Sequence, residues 1–512
     1  MIKINKIRLA LFVIVLFAIK ARAEIGYPEL LKSLTAGKSN IVSEIPELKS
    51  LMAVDTIEKA RIILNKTKYS SLSAAGVSSI NSEQVLGLVK QRKLTFVIVP
   101  GVLGEFIDTR AFEEIFNRNS VFKQQWEKLA AGSTDPRFSL ELSAEKNEKL
   151  SDLINAASVE DSNGQTLFKM VILKTYLGSF ESVGSNVDKA QIFNRRLEKY
   201  IKLTQDKNIV LLGYSRGTPL ALEMLVQAEK NHLSYLSNVK ALVSYAGVVM
   251  GSSLADVTDD QSTESGRLML AAKKLQNDLQ FSQSVLDRPL KFAANTATVG
   301  KFLFELNANS KFDPNAFLAN ARSGDFKTVA ALIAGMSMQL GVNSIYDFNG
   351  HVARVKLFIG EVLKAVDGLK SSSMQNWWSN NTLPKNIQYL SLAAAMVDPA
   401  SGSLEKNIFD SHEGYVDSLD DKSLLENKRT YEKLTGVALN DSQVAVHQSL
   451  FLQNIIVKLN PANSNLYFKP LAILETHHWG VSLQVVNKMK DGRLNPFPRE
   501  KAILALAAYL NQ

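Results

Sequence analysis

Cysteine is absent from the 512 residues of the chain. Without it the protein cannot form disulfides, and its packed core must hold it together. The absence also excludes a thiolate metal site, a thiol nucleophile and the lipid-modified cysteine that follows a lipoprotein signal. A hydroxyl group is therefore the leading candidate for covalent chemistry.

A concentrated charge of one sign is also missing. The chain has 59 Lys and Arg against 50 Asp and Glu, for a formal net charge of +9 at pH 7. Five of the positive charges precede residue 24, which leaves +4 for the remainder. Because no run of basic residues marks a basic face, we expect no nucleic-acid partner.

The first residues have the order of a secretory signal. Three basic residues precede an unbroken apolar run from Leu9 to Ile19, and Ala21 and Ala23 occupy the positions that a signal peptidase reads. The run is shorter than the roughly 20 apolar residues that cross a bilayer. We expect a signal peptide over 1–23, cleavage before Glu24 and export to the periplasm or the medium; a retained N-terminal anchor is the alternative.

Short apolar runs rich in β-branched residues indicate strands buried on both faces of a sheet. Helical periodicity lies between several of them, which favours an α/β domain with a mostly parallel central sheet and helices on both faces. The predicted strands cover residues 94–100, 170–173, 208–212, 241–245, 387–392 and 470–474.

The alternation of strands and helices is interrupted between residues 252 and 383, where helical spacing continues without a strand run. We interpret this stretch as a helical cap insertion over the ligand-binding edge of the sheet; a separate helical domain is the alternative. The predicted organisation is a signal peptide (1–23), an N-terminal helical segment (24–90), an α/β core in two parts (91–251 and 384–512) and the cap (252–383).

The motif Gly213-Tyr214-Ser215-Arg216-Gly217 directly follows a predicted strand and directly precedes a predicted helix. A strand, a tight turn and a helix are the geometry that exposes a nucleophilic serine in a G-x-S-x-G motif. The dipole and free N–H groups of the following helix favour developing negative charge. We predict Ser215 as the nucleophile; a plain turn between strand and helix is the alternative.

A serine hydroxyl needs a neighbouring base, and the chain has only six histidines. His477 and His478 follow the last predicted strand, at the edge of the sheet where Ser215 is expected. Adjacent side chains diverge, so only one of the two can be the base. We favour His478, with His477 as the alternative, and for the same reason expect no metal site at this pair.

The acid should lie between the nucleophile and the histidine in the chain. Asp398 follows the penultimate strand, and Asp441 lies in Asn440-Asp441-Ser442-Gln443-Val444. That segment resembles the Asn-Asp-Gly-x-Val segment around the catalytic acid of lipases, with Ser442 in place of glycine. The resemblance favours Asp441, and Asp398 is the alternative.

Two backbone N–H groups are expected to bind the oxyanion of an acyl-transfer intermediate. The first is that of Arg216, directly after the nucleophile. The loop Pro100-Gly101-Val102-Leu103-Gly104 resembles the His-Gly-x-x-Gly loop of lipases, with Pro100 in place of His. This resemblance implies that Val102 supplies the second donor; a plain Pro-Gly turn is the alternative.

Residues 94–251 and 384–510 together resemble the α/β-hydrolase superfamily, near its lipase and esterase branches. The resemblance implies a serine hydrolase that cleaves carboxylic esters through an acyl-serine intermediate, with no cofactor. Its expected partners are a small-molecule or lipid ester and, transiently, a membrane surface. A peptidase or amidase of the same fold and a catalytically inactive binding protein are the alternatives.

Overall fold

Eight strands form one sheet in the computed structural model of the chain. They are β1 (Leu94–Val99), β2 (Arg137–Ser139), β3 (Ile154–Glu160), β4 (Thr166–Leu173), β5 (Ile209–Tyr214), β6 (Val239–Tyr245), β7 (Gln388–Ala395) and β8 (Tyr467–Glu475). Their order across the sheet is β2-β3-β4-β1-β5-β6-β7-β8. The six strands from β4 to β8 in this order are parallel, while β2 and β3 pair antiparallel at one edge. The predicted α/β fold is confirmed.

The structure describes part of the chain. The described residues are 50–66, 92–99, 101, 137–139, 154–160, 165–173, 184–284, 286–287, 290–291, 293–299, 301–302, 344–395, 432–434, 436–437, 439–476, 478, 481 and 499–511. The predicted signal peptide lies outside this set.

All six predicted strands are present, and each parallel strand is buried over nearly its whole length. Strand β1 shows why these sequences are continuously apolar. Its Phe96 and Ile98 belong to one hydrophobic core, whereas Val97 and Val99 belong to another on the opposite face. A strand between two cores has no polar face, so its sequence does not alternate.

Strands β2 and β3 were not predicted from the sequence. Their residues, Arg-Phe-Ser and Ile-Asn-Ala-Ala-Ser-Val-Glu, contain no run of large apolar side chains. Antiparallel strands at an edge need not be apolar on both faces, so they give a weaker sequence signal than the central parallel strands.

Helices cover both faces of the sheet. The hydrophobic core on one face includes Phe193 and Leu197 from the helix Asn186–Thr204, and that on the other face includes Ile503 and Leu506 from the helix Arg499–Leu510. The helices are α1 (Ile57–Lys66), α2 (Asn186–Thr204), α3 (Gly217–Lys230), α4 (Ser253–Asp256), α5 (Glu264–Asp278), α6 (Ser344–Asp367), α7 (Ser371–Asn380), α8 (Val446–Ser449), α9 (Gln453–Leu459) and α10 (Arg499–Leu510).

The described part of the segment between β6 and β7 is mainly helical and contains no strand. Its long helix α6 is tied to the core by Glu361, whose carboxylate pairs with Lys189 of α2 at 3.2 Å. Helix α7 is tied to the end of β6 by the indole of Trp378, which donates to the Val249 carbonyl at 2.9 Å. Within the described residues, no helix is long and apolar enough to cross a membrane.

Candidate active site

Ser215 occupies the turn between β5 and α3, at the carboxyl edge of the sheet. Its φ is +54°, a left-handed conformation that a non-glycine residue adopts only when its surroundings impose it. The surroundings here are two N–H groups on its carbonyl, from Thr218 at 3.2 Å and Val248 at 3.1 Å. The residue is half-buried.

Gly213 explains how strand and helix meet so closely around this serine. A Cβ added at Gly213 would lie 2.7 Å from the Cα and 2.9 Å from the N of Thr218 in α3. Real Cβ atoms do not approach backbone atoms so closely, so only glycine fits this position. The predicted strand, tight turn and helix are all present.

Gly101, two residues after β1, lies beside the serine. A Cβ added at Gly101 would lie 3.1 Å from the Ser215 Cβ and 3.5 Å from its Oγ. The segment compared with the lipase oxyanion loop therefore starts next to the candidate nucleophile. Val102, the predicted second donor, lies outside the described residues.

Asp441 and His478 form a buried pair at the same edge of the sheet. The Nδ1 of His478 lies 2.7 Å from Oδ2 of Asp441, and the two side chains are each 1% exposed. The backbone N–H of His478 also donates to the Asp441 carbonyl at 2.9 Å. Because an ionised carboxylate only accepts hydrogen bonds, this contact places the imidazole proton on Nδ1 and directs Nε2 away from Asp441.

The second oxygen of Asp441 is held by its own loop. Oδ1 accepts the backbone N–H groups of Gln443 at 2.9 Å and Val444 at 2.7 Å. The turn that aims these N–H groups passes through Ser442, whose φ is +82°. Ser442 thus adopts the conformation expected of the glycine that it replaces in the lipase pattern.

Tyr214 connects this pair to the serine turn. Its hydroxyl donates to the His478 carbonyl at 3.0 Å, and the two rings lie 5.2 Å apart between centroids. The residue before Ser215 therefore fixes the backbone of the histidine, 264 positions later in the chain. Sequence reasoning missed this role, because the second position of a G-x-S-x-G motif carries no signal for it.

Arg216 follows the serine and is fully buried. Its guanidinium donates to the Gly184 carbonyl at 2.6 Å, directly before α2. This bond fixes the start of α3, where backbone N–H groups point toward the turn.

The two alternative site residues, Asp398 and His477, lie outside the described residues. Among the residues that the structure does describe, no group of three or more acidic or histidine side chains could hold a metal ion. Ser215, Asp441 and His478 come from three loops at one edge of the sheet, where ligands bind in open α/β folds.

Comparisons with known proteins give structural matches only. No protein-family model and no curated protein matches the chain. A metagenomic carboxyl esterase is 15% identical, with 81% of this chain and 75% of that one covered and a TM-score of 0.35. A mature-form lipase of Bacillus licheniformis is 10% identical, with 76% and 85% covered and a TM-score of 0.32. The order of the parallel strands and the turn at Ser215 give the described residues an α/β-hydrolase-like fold.

Proposed function

We propose that this protein is a serine hydrolase that cleaves carboxylic esters through an acyl-Ser215 intermediate. One observation carries the proposal. A serine at φ +54° and a buried Asp–His pair lie on neighbouring loops that Tyr214 links by a hydrogen bond. A strained serine beside an oriented imidazole is the arrangement that activates a hydroxyl for acyl transfer.

In the proposed reaction, Nε2 of His478 accepts the hydroxyl proton of Ser215 as the oxygen attacks the ester carbonyl. The C–O bond to the alcohol then breaks, and the imidazolium returns the proton to the departing alkoxide. Water then attacks the acyl carbonyl while the same imidazole takes its proton. The bond from the carbonyl carbon to Ser215 Oγ breaks, the imidazolium returns the proton to Oγ, and the carboxylic acid leaves. Asp441 fixes the imidazole tautomer and stabilises its cationic form in a site from which water is largely excluded.

The oxyanion that forms in each step would be bound by backbone N–H groups. Arg216 is the first proposed donor, and its buried side chain holds the start of α3 in place. Val102 is the second proposed donor, and support for it comes from the position of Gly101 beside Ser215. Donors fixed before the reaction need no reorganisation when the charge develops, which is why they lower the barrier.

We extend the proposal to esters with hydrophobic acyl groups and to transient contact with a lipid surface. The helical segment between β6 and β7 supports this extension, because its side chains Leu286 and Leu290 are 91% and 75% exposed. Apolar side chains so exposed favour contact with apolar ligands or lipids. The N-terminal sequence supports export to the periplasm or the medium, where such substrates would be met.

Labelling with a fluorophosphonate probe tests the nucleophile directly. The wild type should bind one equivalent of probe, Ser215→Ala should bind none, and His478→Ala and Asp441→Asn should react about a thousandfold or more slowly. Ser237→Ala is the matched control, since the hydroxyl of this exposed serine donates to the nearby Ser234 carbonyl and its loss should leave labelling unchanged. Equal labelling of Ser215→Ala, or an unlabelled wild type, would overturn the proposal.

The scissile bond is tested by comparing p-nitrophenyl acyl esters with aminoacyl anilides of matched size. We expect kcat/KM to be higher for the esters and to rise as the acyl chain is lengthened. A higher kcat/KM for the anilides would replace the esterase assignment with that of a peptidase or amidase of the same fold.

A further inference from the structure

The loop that holds Asp441 is hydrogen-bonded to the start of the helical insertion. We call residues 439–449 the acid loop. The hydroxyl of Ser252, where the insertion leaves β6, donates to the Gln443 carbonyl at 2.8 Å. The N–H of the same Gln443 donates to Oδ1 of Asp441 at 2.9 Å. One residue of the acid loop thus joins the entry of the insertion to the carboxylate of the candidate catalytic acid.

The exit of the insertion meets the acid loop as well. Oε1 of Gln448 accepts the N–H and the hydroxyl of Ser253 at 3.3 and 3.2 Å, while its Nε2 donates to the hydroxyl of Ser371 at 3.1 Å. The Ser371 hydroxyl donates in turn to Asp256 at 2.6 Å. One glutamine side chain therefore joins the beginning and the end of the insertion.

These contacts are shielded from solvent. Ser252 is 5% exposed and Gln448 is 4% exposed. Gly251, at φ +97°, lies so close to the backbone of Ser371 that any Cβ there would collide with it. Buried hydrogen bonds between closely packed backbones fix positions more firmly than exposed ones do, because water cannot replace a lost partner.

We propose that Ser252 is a positioning residue for Asp441, an inference that rests on the proposed function. Its hydroxyl donates to the carbonyl of the peptide that joins Gln443 to Val444. The N–H of that same peptide, which belongs to Val444, donates to Oδ1 of Asp441 at 2.7 Å and so helps to orient the carboxylate toward His478. Without the bond from Ser252, this peptide loses one of its fixed contacts, and Asp441 holds the imidazole less firmly in its productive orientation. The entry of the insertion is thereby coupled to the candidate catalytic centre.

The experiment compares Ser252→Ala and Ser252→Thr with the wild type on a p-nitrophenyl ester. We expect kcat of Ser252→Ala to fall about three- to tenfold with KM nearly unchanged, as for the loss of one buried hydrogen bond. Threonine keeps the hydroxyl, so Ser252→Thr should recover most of the loss. Ser379→Ala is the matched control, since Ser379 donates to the Gln375 carbonyl at 2.9 Å on the exposed face of α7 and should leave kcat unchanged.

A double-mutant cycle with Asp441→Asn separates positioning from a general loss of structure. The substitution Ser252→Ala should lower the rate of fluorophosphonate inactivation when Asp441 is present. The same substitution should leave the rate unchanged in a chain that already carries Asp441→Asn. Equal losses in both backgrounds, a change confined to KM, or a wild-type kcat for Ser252→Ala would overturn the inference. An unchanged rate for Asp441→Asn alone would instead overturn the proposed role of Asp441 itself.

Discussion

Ser442 offers a sharp test of how the acid loop is built. Its φ of +82° lies in the left-handed region, which costs a residue with a side chain about 1–2 kcal/mol relative to glycine. Replacement by glycine removes this cost, but it adds freedom to the unfolded chain worth roughly 0.5–1 kcal/mol. Ser442→Gly should therefore increase the free energy of unfolding by about 0.5–1 kcal/mol.

The assay is thermal unfolding together with steady-state kinetics. In a chain of this length, the gain corresponds to a rise in Tm of about 1–2 °C. The value of kcat should stay within twofold, because the N–H groups of Gln443 and Val444 that bind Asp441 come from the backbone and remain. Ser442→Ala keeps the unfavourable φ and should give no rise. Ser442→Val should lower both Tm and kcat, since a β-branched residue tolerates this conformation least.

The order of the three variants decides the outcome. If the left-handed backbone is the source of the cost, the variant with glycine must have a higher Tm than the variant with alanine, and the variant with valine must have the lowest. If Ser442→Ala raised Tm as much as Ser442→Gly did, the serine hydroxyl and not the backbone would be the source of the cost. If Ser442→Gly lowered Tm, the left-handed conformation would contribute less than the added freedom of the unfolded chain.

Three further predictions concern the strand–helix contact, the response to alkali and the processing of the chain. Gly213→Ala should lower the free energy of unfolding by about 1–3 kcal/mol and reduce kcat, because the added Cβ would lie 2.7 Å from the Thr218 Cα. Urea titration and ester hydrolysis measure the two effects, and unchanged values would contradict the close approach of strand and helix. Burial raises the pKa of Tyr200 and of Tyr235 above the usual value near 10, so stability should be full below pH 10 and fall as the pH rises further. Urea unfolding midpoints between pH 8 and 11 measure this fall in stability, and the fall should be shallower in Tyr235→Phe. An equal dependence of the midpoint on pH in that variant would refute the assignment of the fall to Tyr235. N-terminal sequencing of the exported protein should begin at Glu24, whereas a product that begins at Met1 would indicate a retained anchor.

The parallel part of the sheet was predictable because its physical cause is visible in the sequence. A strand covered on both faces must be apolar nearly throughout. The runs at 94–99 and 209–214 follow this rule, and the residues that depart from it are Thr95, Gly213 and the final Tyr214. The antiparallel edge has a weaker signal, because β3 contains no run of large apolar side chains. Its pairing with β4, the next strand in the chain, is nevertheless indicated locally, since the short connection between them contains Asn163-Gly164, a pair typical of hairpin turns.

The candidate site was predictable as a set of residue types, but not as a set of contacts. Motif and chain order limited the base to two adjacent histidines and the acid to two aspartates. The hydrogen bond between Asp441 and His478 joins loops 37 residues apart, and the one from Tyr214 to His478 joins loops 264 residues apart. Contacts over such separations depend on the full sheet order, which no local pattern encodes.

The same sheet order explains why the helical insertion and the acid loop meet. Strand β6 lies between β5, which ends at the serine turn, and β7, and the insertion leaves from the carboxyl end of β6. The carboxyl ends of parallel strands meet at one edge of the sheet, so whatever follows β6 must pass the loops that follow its neighbours. Backbone hydrogen bonds join the two segments here, because the Gln448 carbonyl accepts the N–H groups of both Val249 and Met250 just before the insertion begins. A large insertion at this point therefore cannot be independent of the acid loop, and a change that moves its entry must act on the peptide that holds Asp441.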